Sequence, residues 1–398
     1  MMNNFYKSLI FWAVGLTLMS CKQDQSQSEE LKPYNAQEAL EVRYEKLASY
    51  PVDSLSFPRS YSRKENAVQK VPSKDWTSGF YVGNLFQIHS LTGEDRFQKV
   101  ALEWLPYMQK EELNDGTHDM GFKIWCSYGE AYEQTGDTAY EKVILKGAQT
   151  LSTRFNETVG SLRSWDFNDD IWEFPVIIDN MMNLELLFEA TRISGDSTYH
   201  NLAVQHANTT LKNHFREDQS SVHVTVYDTI SGAVKQRVTH QGLNDDSSWA
   251  RGQGWAIYGY TMAYRYTKDP AYLNQAKKTA AFFLDHKNLP DDGIPYWDFN
   301  DPAIPDAPRD VSAGALVASG LVELYSYTND QKYLDYSNKV LSSLKSQEYI
   351  LPADFDAPFI LDHSTGNWPK NDEIDEPIVY GDYYFLELML RLNNLNNN

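Results

Sequence analysis

The sequence predicts an all-α protein, an (α/α)6 toroid of six inner and six outer helices, with a small β-hairpin over one rim. Three observations carry that prediction. A short turn signature recurs along the chain, each turn lies a fixed count from a polar or aromatic position upstream, and strand patterns are scarce. The turn appears as Thr92-Gly93-Glu94-Asp95 with Phe97, Thr135-Gly136-Asp137 with Tyr140, and Ser194-Gly195-Asp196 with Tyr199. Two variants follow, Thr267-Lys268-Asp269 with Tyr272 and Thr328-Asn329-Asp330 with Tyr333. Gly or Asn after a helix takes the left-handed cap conformation, and Asp opens the next helix by accepting from its free N–H groups. Each instance reads as a helix–turn–helix corner, and repeated corners mean a helical array.

The inner helices follow from counting back. Sixteen residues before Thr92 lies Trp76, and sixteen before Thr135 lies Asp119. Asp179 stands fifteen before Ser194, Arg251 sixteen before Thr267 and Ser312 sixteen before Thr328. At a helical rise of 1.5 Å per residue these positions are all about 24 Å from their corners. Parallel inner helices would therefore gather the five side chains on one rim. Residues 377–392 supply a sixth inner helix, and residues 36–49 the unmatched outer helix at the start. Residues 222–227 and 234–239 alternate like a hairpin around Ile230-Ser231-Gly232. An open tetratricopeptide solenoid would repeat about every 34 residues. The corner spacings here are longer, and the excess falls on the rim carrying Asp119, Asp179 and Arg251, where loops of a closed toroid would carry function.

Ahead of the toroid, residues 1–20 read as a targeting segment. Lys7 supplies the positive region, residues 9–19 the apolar stretch, and Leu18-Met19-Ser20-Cys21 a lipobox. Cys21 would be the lipidated first residue, residues 21–36 a flexible polar tether, and residues 37–398 a single (α/α)6 domain. An ordinary secretory signal with an incidental Cys is the alternative. The expected location is the bacterial cell envelope, periplasmic or anchored at the outer membrane. The membrane would be reached only through lipid, because the apolar run is too short for a comfortable span. With Cys21 lipidated, Cys126 has no disulfide partner. A formal charge of -20 argues against nucleic acid as partner, and a monomer is expected.

Two carboxylates stand out. Asp179 lies inside the apolar run 174–189, which opens with Pro175 and reads as a helix with proline in its first turn. Burial there favours the protonated form and raises the pKa, which a general acid near neutral pH requires. Asp119 follows Asp115-Gly116-Thr117-His118 at a helix start, where the dipole would hold it ionised. Each alone could be a helix cap; as a pair at one register they can divide acid and base roles. Residues 241–255 bring together Gln241, Trp249, Arg251 and Trp255, a clamp for a sugar ring and a carboxylate through stacking and bidentate hydrogen bonding. Asp245 and Asp246 are the sequence-local partners that could instead compensate Arg251. No zinc spacing, P-loop, dinucleotide fingerprint or nucleophile elbow is present, and neither a cofactor nor a metal is called for.

At these residues the chain resembles the unsaturated glucuronyl hydrolases of glycoside hydrolase family 88. The resemblance rests on IIDNMMNLELLFEAT at 177–191, the stretch 240–269 around WARGQGW, and 362–391 with DEPIVYGDYYFLE. DWTSGFYVGNLF at 75–86 and HDMGF at 118–122 extend it over the whole core. It implies the same (α/α)6 fold, with Asp179 as general acid/base and Asp119 as its partner carboxylate. Trp76, His223, Gln241, Trp249, Arg251 and Trp255 would line the pocket for an unsaturated uronate. Ser364 and Lys370 would bind substrate within the stretch 363–370 that helps set preference for sulfated or unsulfated sugars. Here that stretch runs on as HSTGNWPKN, where relatives often have Gly or Ala near Lys370-Asn371. The implied substrates are oligosaccharides made by polysaccharide lyases, which end in a 4,5-unsaturated uronic acid. The implied reaction protonates C4, adds water at C5 and releases the next sugar. The unsaturated rhamnogalacturonyl hydrolases, of the same fold, are the enzymatic alternative. A non-catalytic surface glycan-binding lipoprotein is the alternative of another class.

Overall fold

Five corners organise the chain, and all are built alike in the computed structural model, which describes residues 34–397. At each, the Thr or Ser hydroxyl donates to the carbonyl four residues back, as in Thr92 Oγ1 to Ile88 O at 2.8 Å and Ser194 Oγ to Ala190 O at 2.6 Å. The same oxygen accepts the backbone N–H two residues on, at 3.1–3.3 Å. Between them sits a left-handed residue: Gly93, Gly136, Gly195, Lys268 or Asn329. Asp137, Asp196, Asp269 and Asp330 then cap the next helix through their side chains. At the first corner Glu94 holds the cap position without such a bond.

The corners join an inner ring to outer helices α3 (Asp95–Trp104), α5 (Glu141–Ser152), α7 (Ser197–Asn213), α9 (Pro270–Leu284) and α11 (Gln331–Leu344), and α1 (Ala36–Ala48) is the outer helix that no corner precedes. The inner ring comprises α2 (Ser78–Thr92), α4 (Glu130–Thr135), α6 (Asn180–Ser194), α8 (Ala250–Thr267), α10 (Val311–Thr328) and α12 (Val379–Asn397). A π-helix, Gly121–Gly129, runs directly into α4 and completes the second inner helix. Each inner helix packs on the next, and α12 packs on α2 to close the toroid. Burial separates the layers: α8 is buried without a break from Ala250 to Ala263, as a helix surrounded by protein must be. By contrast α11 buries one stripe at helical spacing, Tyr333, Tyr336, Ser337, Val340 and Leu344. Close contact within the ring needs glycine at two points. A Cβ on Gly79 would lie 2.2 Å from Phe122 O, and one on Gly259 2.5 Å from Met181 Cβ.

Among the described residues, nine short strands occupy the connections from outer helices to the next inner helices. These are β1 (Phe57–Ser62), β2 (Ala67–Val71), β3 (Phe155–Asn156), β4 (Ser161–Leu162), β5 (Pro175–Ile177), β6 (Val224–Tyr227), β7 (Val234–Val238), β8 (Ser364–Asn367) and β9 (Asp372–Glu376). The expected hairpin is β6–β7, but it is one of several hairpins, and β6 also pairs with β5. That pairing corrects the reading of Pro175. It opens a strand, opposite Val226, rather than the first turn of a helix. Val176, Ile177 and Ile178 favour extended backbone, and proline is tolerated as the first residue of a strand. Helix α6 therefore starts only at Asn180. Asn35 caps α1 by accepting from Gln37 and Glu38 N–H groups, so this helix and its cap reach into residues 35–36, expected to be tether. The targeting segment and Cys21 lie outside the described residues.

Candidate functional site

The N-terminal ends of the inner helices surround a cavity of about 750 Å³. Four of the five register positions, Trp76, Asp119, Asp179 and Arg251, are on its wall. The fifth, Ser312, is buried beside it, its hydroxyl donating to Asp310 Oδ1 at 2.6 Å.

Asp179 stands where β5 gives way to α6. It occupies the cap position of α6, yet its side chain makes no capping bond, which sets aside the helix-cap explanation. Ile177, Ile178, Met181 and Met182 around it are buried, and Asp179 itself is 8% exposed. Burial is the main reason its carboxyl is pushed up to about 7; Arg251 and Trp255 oppose that rise, and Asp119 adds to it. A carboxyl poised there can give a proton near neutral pH and then take one back.

Asp119 occupies the loop ahead of the π-helix. Its Oδ2 accepts from Thr117 Oγ1 at 2.6 Å, and its Oδ1 lies 3.3 Å from His118 Nε2. Burial lowers the pKa of His118, so that imidazole is neutral. Asp119 is thus held by neighbours in its own loop, with its side chain 18% exposed and opening on the same cavity as Asp179.

Arg251 is buried, and its carboxylate partner is not Asp245 or Asp246. Nη1 donates to Asp310 Oδ2 at 2.6 Å and to Thr365 O at 2.7 Å, while Nη2 donates to Gly366 O at 2.5 Å. Asp245 instead accepts from Thr239 N–H. The difference arises because α8 lies against α10, whose N-cap is Asp310. Trp249 and Tyr380 rings lie 4.7 and 5.3 Å from the guanidinium. Three of the five N–H donors are therefore occupied before any ligand arrives, two tying β8 to the rim and one held by Asp310.

Of the remaining predicted residues, Gln241 and Lys370 are on the cavity wall. His223, Trp249, Trp255 and Ser364 are not. Trp255 lies beneath Phe122, ring centroids 5.3 Å apart, and Trp249 packs on His223 at 4.8 Å. Ser364 is turned toward α12, its Oγ 3.2 Å from where a Cβ on Gly381 would lie; the wall is formed by the next residues of β8, Gly366 and Asn367. Positions 364 and 366 would share a face in a regular strand, but the register of β8 shifts between Ser364 and Thr365, which breaks that alternation. Sequence reasoning missed Trp165, Phe167, His240 and Tyr380. Trp165 and Phe167 stack at 4.8 Å and 13°, with His240 5.5 and 5.6 Å from them, forming one aromatic wall. The signal was the density of Trp, Phe and Asp in SWDFNDDIWEF, residues 164–174, of the same kind as residues 241–255. Among the described residues no group of three His, Cys, Asp or Glu side chains is arranged to hold a metal ion.

The chain and its fold are similar to known proteins. The chain is 60% identical to the unsaturated glucuronyl hydrolase of Formosa agariphila, over 96% of this chain and 97% of that one. It is 32% identical to the unsaturated chondroitin disaccharide hydrolase of Streptococcus pneumoniae, over 82% of this chain and 84% of that one. Its fold matches the crystal structure of an unsaturated glucuronyl hydrolase specific for heparin with a TM-score of 0.88 at 42% identity, covering 91% of this chain and 97% of that one. The family model for Glycosyl Hydrolase Family 88 matches residues 55–279. Likeness of this extent, in sequence and in fold alike, means that the chain belongs to glycosyl hydrolase family 88.

Proposed function

We propose that the protein removes the 4,5-unsaturated uronic acid from the non-reducing end of oligosaccharides released by polysaccharide lyases. One observation carries the reading: a carboxyl near neutral pKa, Asp179, opens on the same aromatic-walled cavity as Asp119. The substrate's C4=C5 bond is an enol ether, and protonation at C4 is the step that needs an acid. Asp179 gives its proton to C4 as the ring oxygen stabilises the cation at C5. Water adds at C5 and returns a proton to the Asp179 carboxylate. The hemiketal then opens, and C1, now a hemiacetal carbon, releases the next sugar. Asp119 keeps Asp179 protonated through its charge. Arg251 fixes the β8 wall and, with the exposed Lys74 and Lys370, supplies positive charge to an anionic ring. Such local cations matter because the net charge of -20 gives no long-range attraction, and screening acts beyond roughly 8–10 Å.

Unsaturated chondroitin and heparin disaccharides are the first substrates to test, given what the relatives are named for. The lipobox at Leu18–Cys21 supports an envelope location, with a monomer held on lipid at Cys21. The test is to follow the absorbance of the conjugated double bond with lyase-made disaccharides. Its loss is expected. Folded protein that leaves chondroitin, heparin and ulvan lyase products all unchanged would overturn the proposal.

A further inference from the structure

We infer that His223 is a positioning residue for Asp179: a neutral imidazole locked as the Nε2–H tautomer, whose N–H receives the carboxylate that Asp179 becomes after protonating C4. This rests on the acid role given to Asp179 above. The tautomer follows from backbone geometry. His223 Nδ1 lies 3.0 Å from His240 N and 3.2 Å from Gln241 N, with Thr239 Oγ1 at 3.4 Å. A backbone amide only donates, so Nδ1 must present its lone pair, and a neutral ring then carries its proton on Nε2. An imidazolium would point Nδ1–H into two other N–H groups. Burial, with His240, Arg251, His214 and His118 around the ring, acts in the same direction and keeps it neutral.

Nε2 faces Asp179. It lies 3.8 Å from Oδ2, and both atoms are buried without a hydrogen-bond partner. That distance is about 1 Å beyond a charge-assisted N–H···O⁻ bond, and such contacts often tighten only as reaction proceeds. The protonated acid leaves the pair apart; a carboxylate closes it. Both partners lie just beyond the adjoining ends of one strand pair, which anchors their backbones. Ile177 in β5 is opposite Val224 in β6, and Ile178 N donates to His223 O at 3.0 Å. The ring is braced on Trp249 and stands behind Asp179 rather than on the cavity wall, so it can act on the acid without touching the sugar. His223 keeps its proton throughout. It orients the spent acid to collect one from water, and by favouring the charged form it lowers the pKa of Asp179. The other charged groups facing Asp179 are Asp119, from the loop before the π-helix, and Arg251 from α8.

Two substitutions separate positioning from simple structure. In His223→Asn the amide oxygen can still accept from His240 and Gln241, while nothing remains at the Nε2 position. In His223→Gln an amide N–H reaches that position. We expect His223→Asn to lose about tenfold or more in kcat with little change in KM, and its alkaline limb of kcat/KM to move to higher pH. His223→Gln should recover most of the rate and of the limb position. A folded His223→Asn with wild-type kcat and an unmoved limb would overturn the inference, as would equal impairment of both variants. Nitrogen-15 NMR of wild-type protein tests the tautomer even if the Asn variant does not fold, and a proton found on Nδ1 would overturn it. Failure of wild-type protein to act on any lyase disaccharide would instead be failure of the proposed function, seen before any variant is made.

Discussion

Replacing Asp179 by Asn should stabilise the fold, and by an amount that grows with pH. The carboxyl goes from 3.8 in the unfolded chain to about 7 in the fold. Between those values the folded state holds a proton that the unfolded state has released, so wild-type stability falls as pH rises through this window. At about 1.4 kcal/mol per tenfold, the cost reaches about 4 kcal/mol above pH 8, and about 1.5–2 kcal/mol is already present at pH 5. Asn keeps the size of the side chain and does not titrate. The difference in unfolding free energy between Asp179→Asn and wild type should therefore rise by about 2–3 kcal/mol from pH 5 to pH 8. Urea unfolding of both proteins at matched pH values measures it. The change with pH is the test, since any constant offset reflects how the amide packs. A difference that stays level across that range would show that Asp179 ionises normally and would refute the argument from burial.

Asp119→Asn should cost about a hundredfold or more in kcat/KM. It should also move the alkaline limb to lower pH, because the negative charge of Asp119 helps keep Asp179 protonated. A fully active variant with an unmoved limb would remove Asp119 from the chemistry. Arg251→Lys should raise KM and lower kcat/KM about tenfold or more, since one ammonium cannot hold Asp310, Thr365 O and Gly366 O together. Lowered thermal stability with catalytic efficiency intact in the folded fraction would show that Arg251 only secures its own surroundings.

The corners were legible because every signal in them is local. Thr92, Gly93 and their four counterparts are fixed by hydrogen bonds spanning four residues or fewer. The register then carried over into space: parallel inner helices bring Trp76, Asp119, Asp179 and Arg251 to one cavity although the first and last are far apart in sequence. What was not legible depends on distant partners. The run 174–178 is apolar and short, so helix and strand could not be told apart by periodicity; pairing with β6 decided it. Arg251 and Asp310 meet only because α8 packs on α10. The π-helix at Gly121–Gly129 has no sequence signature that distinguishes it from an α-helix. His223 had no pattern of its own, and the resemblance placed it on the pocket wall. Its position behind Asp179 emerges only from the chain's return at His240 and Gln241.

The most direct measurement is the pH dependence of kcat/KM for the wild-type protein with an unsaturated disaccharide. The reaction needs Asp179 protonated, so kcat/KM should fall tenfold per pH step above a limb near pH 7, the value to which burial pushes its carboxyl. A rate that holds level or rises through pH 9 would mean that no buried acid gives the proton, and would contradict the role assigned to Asp179.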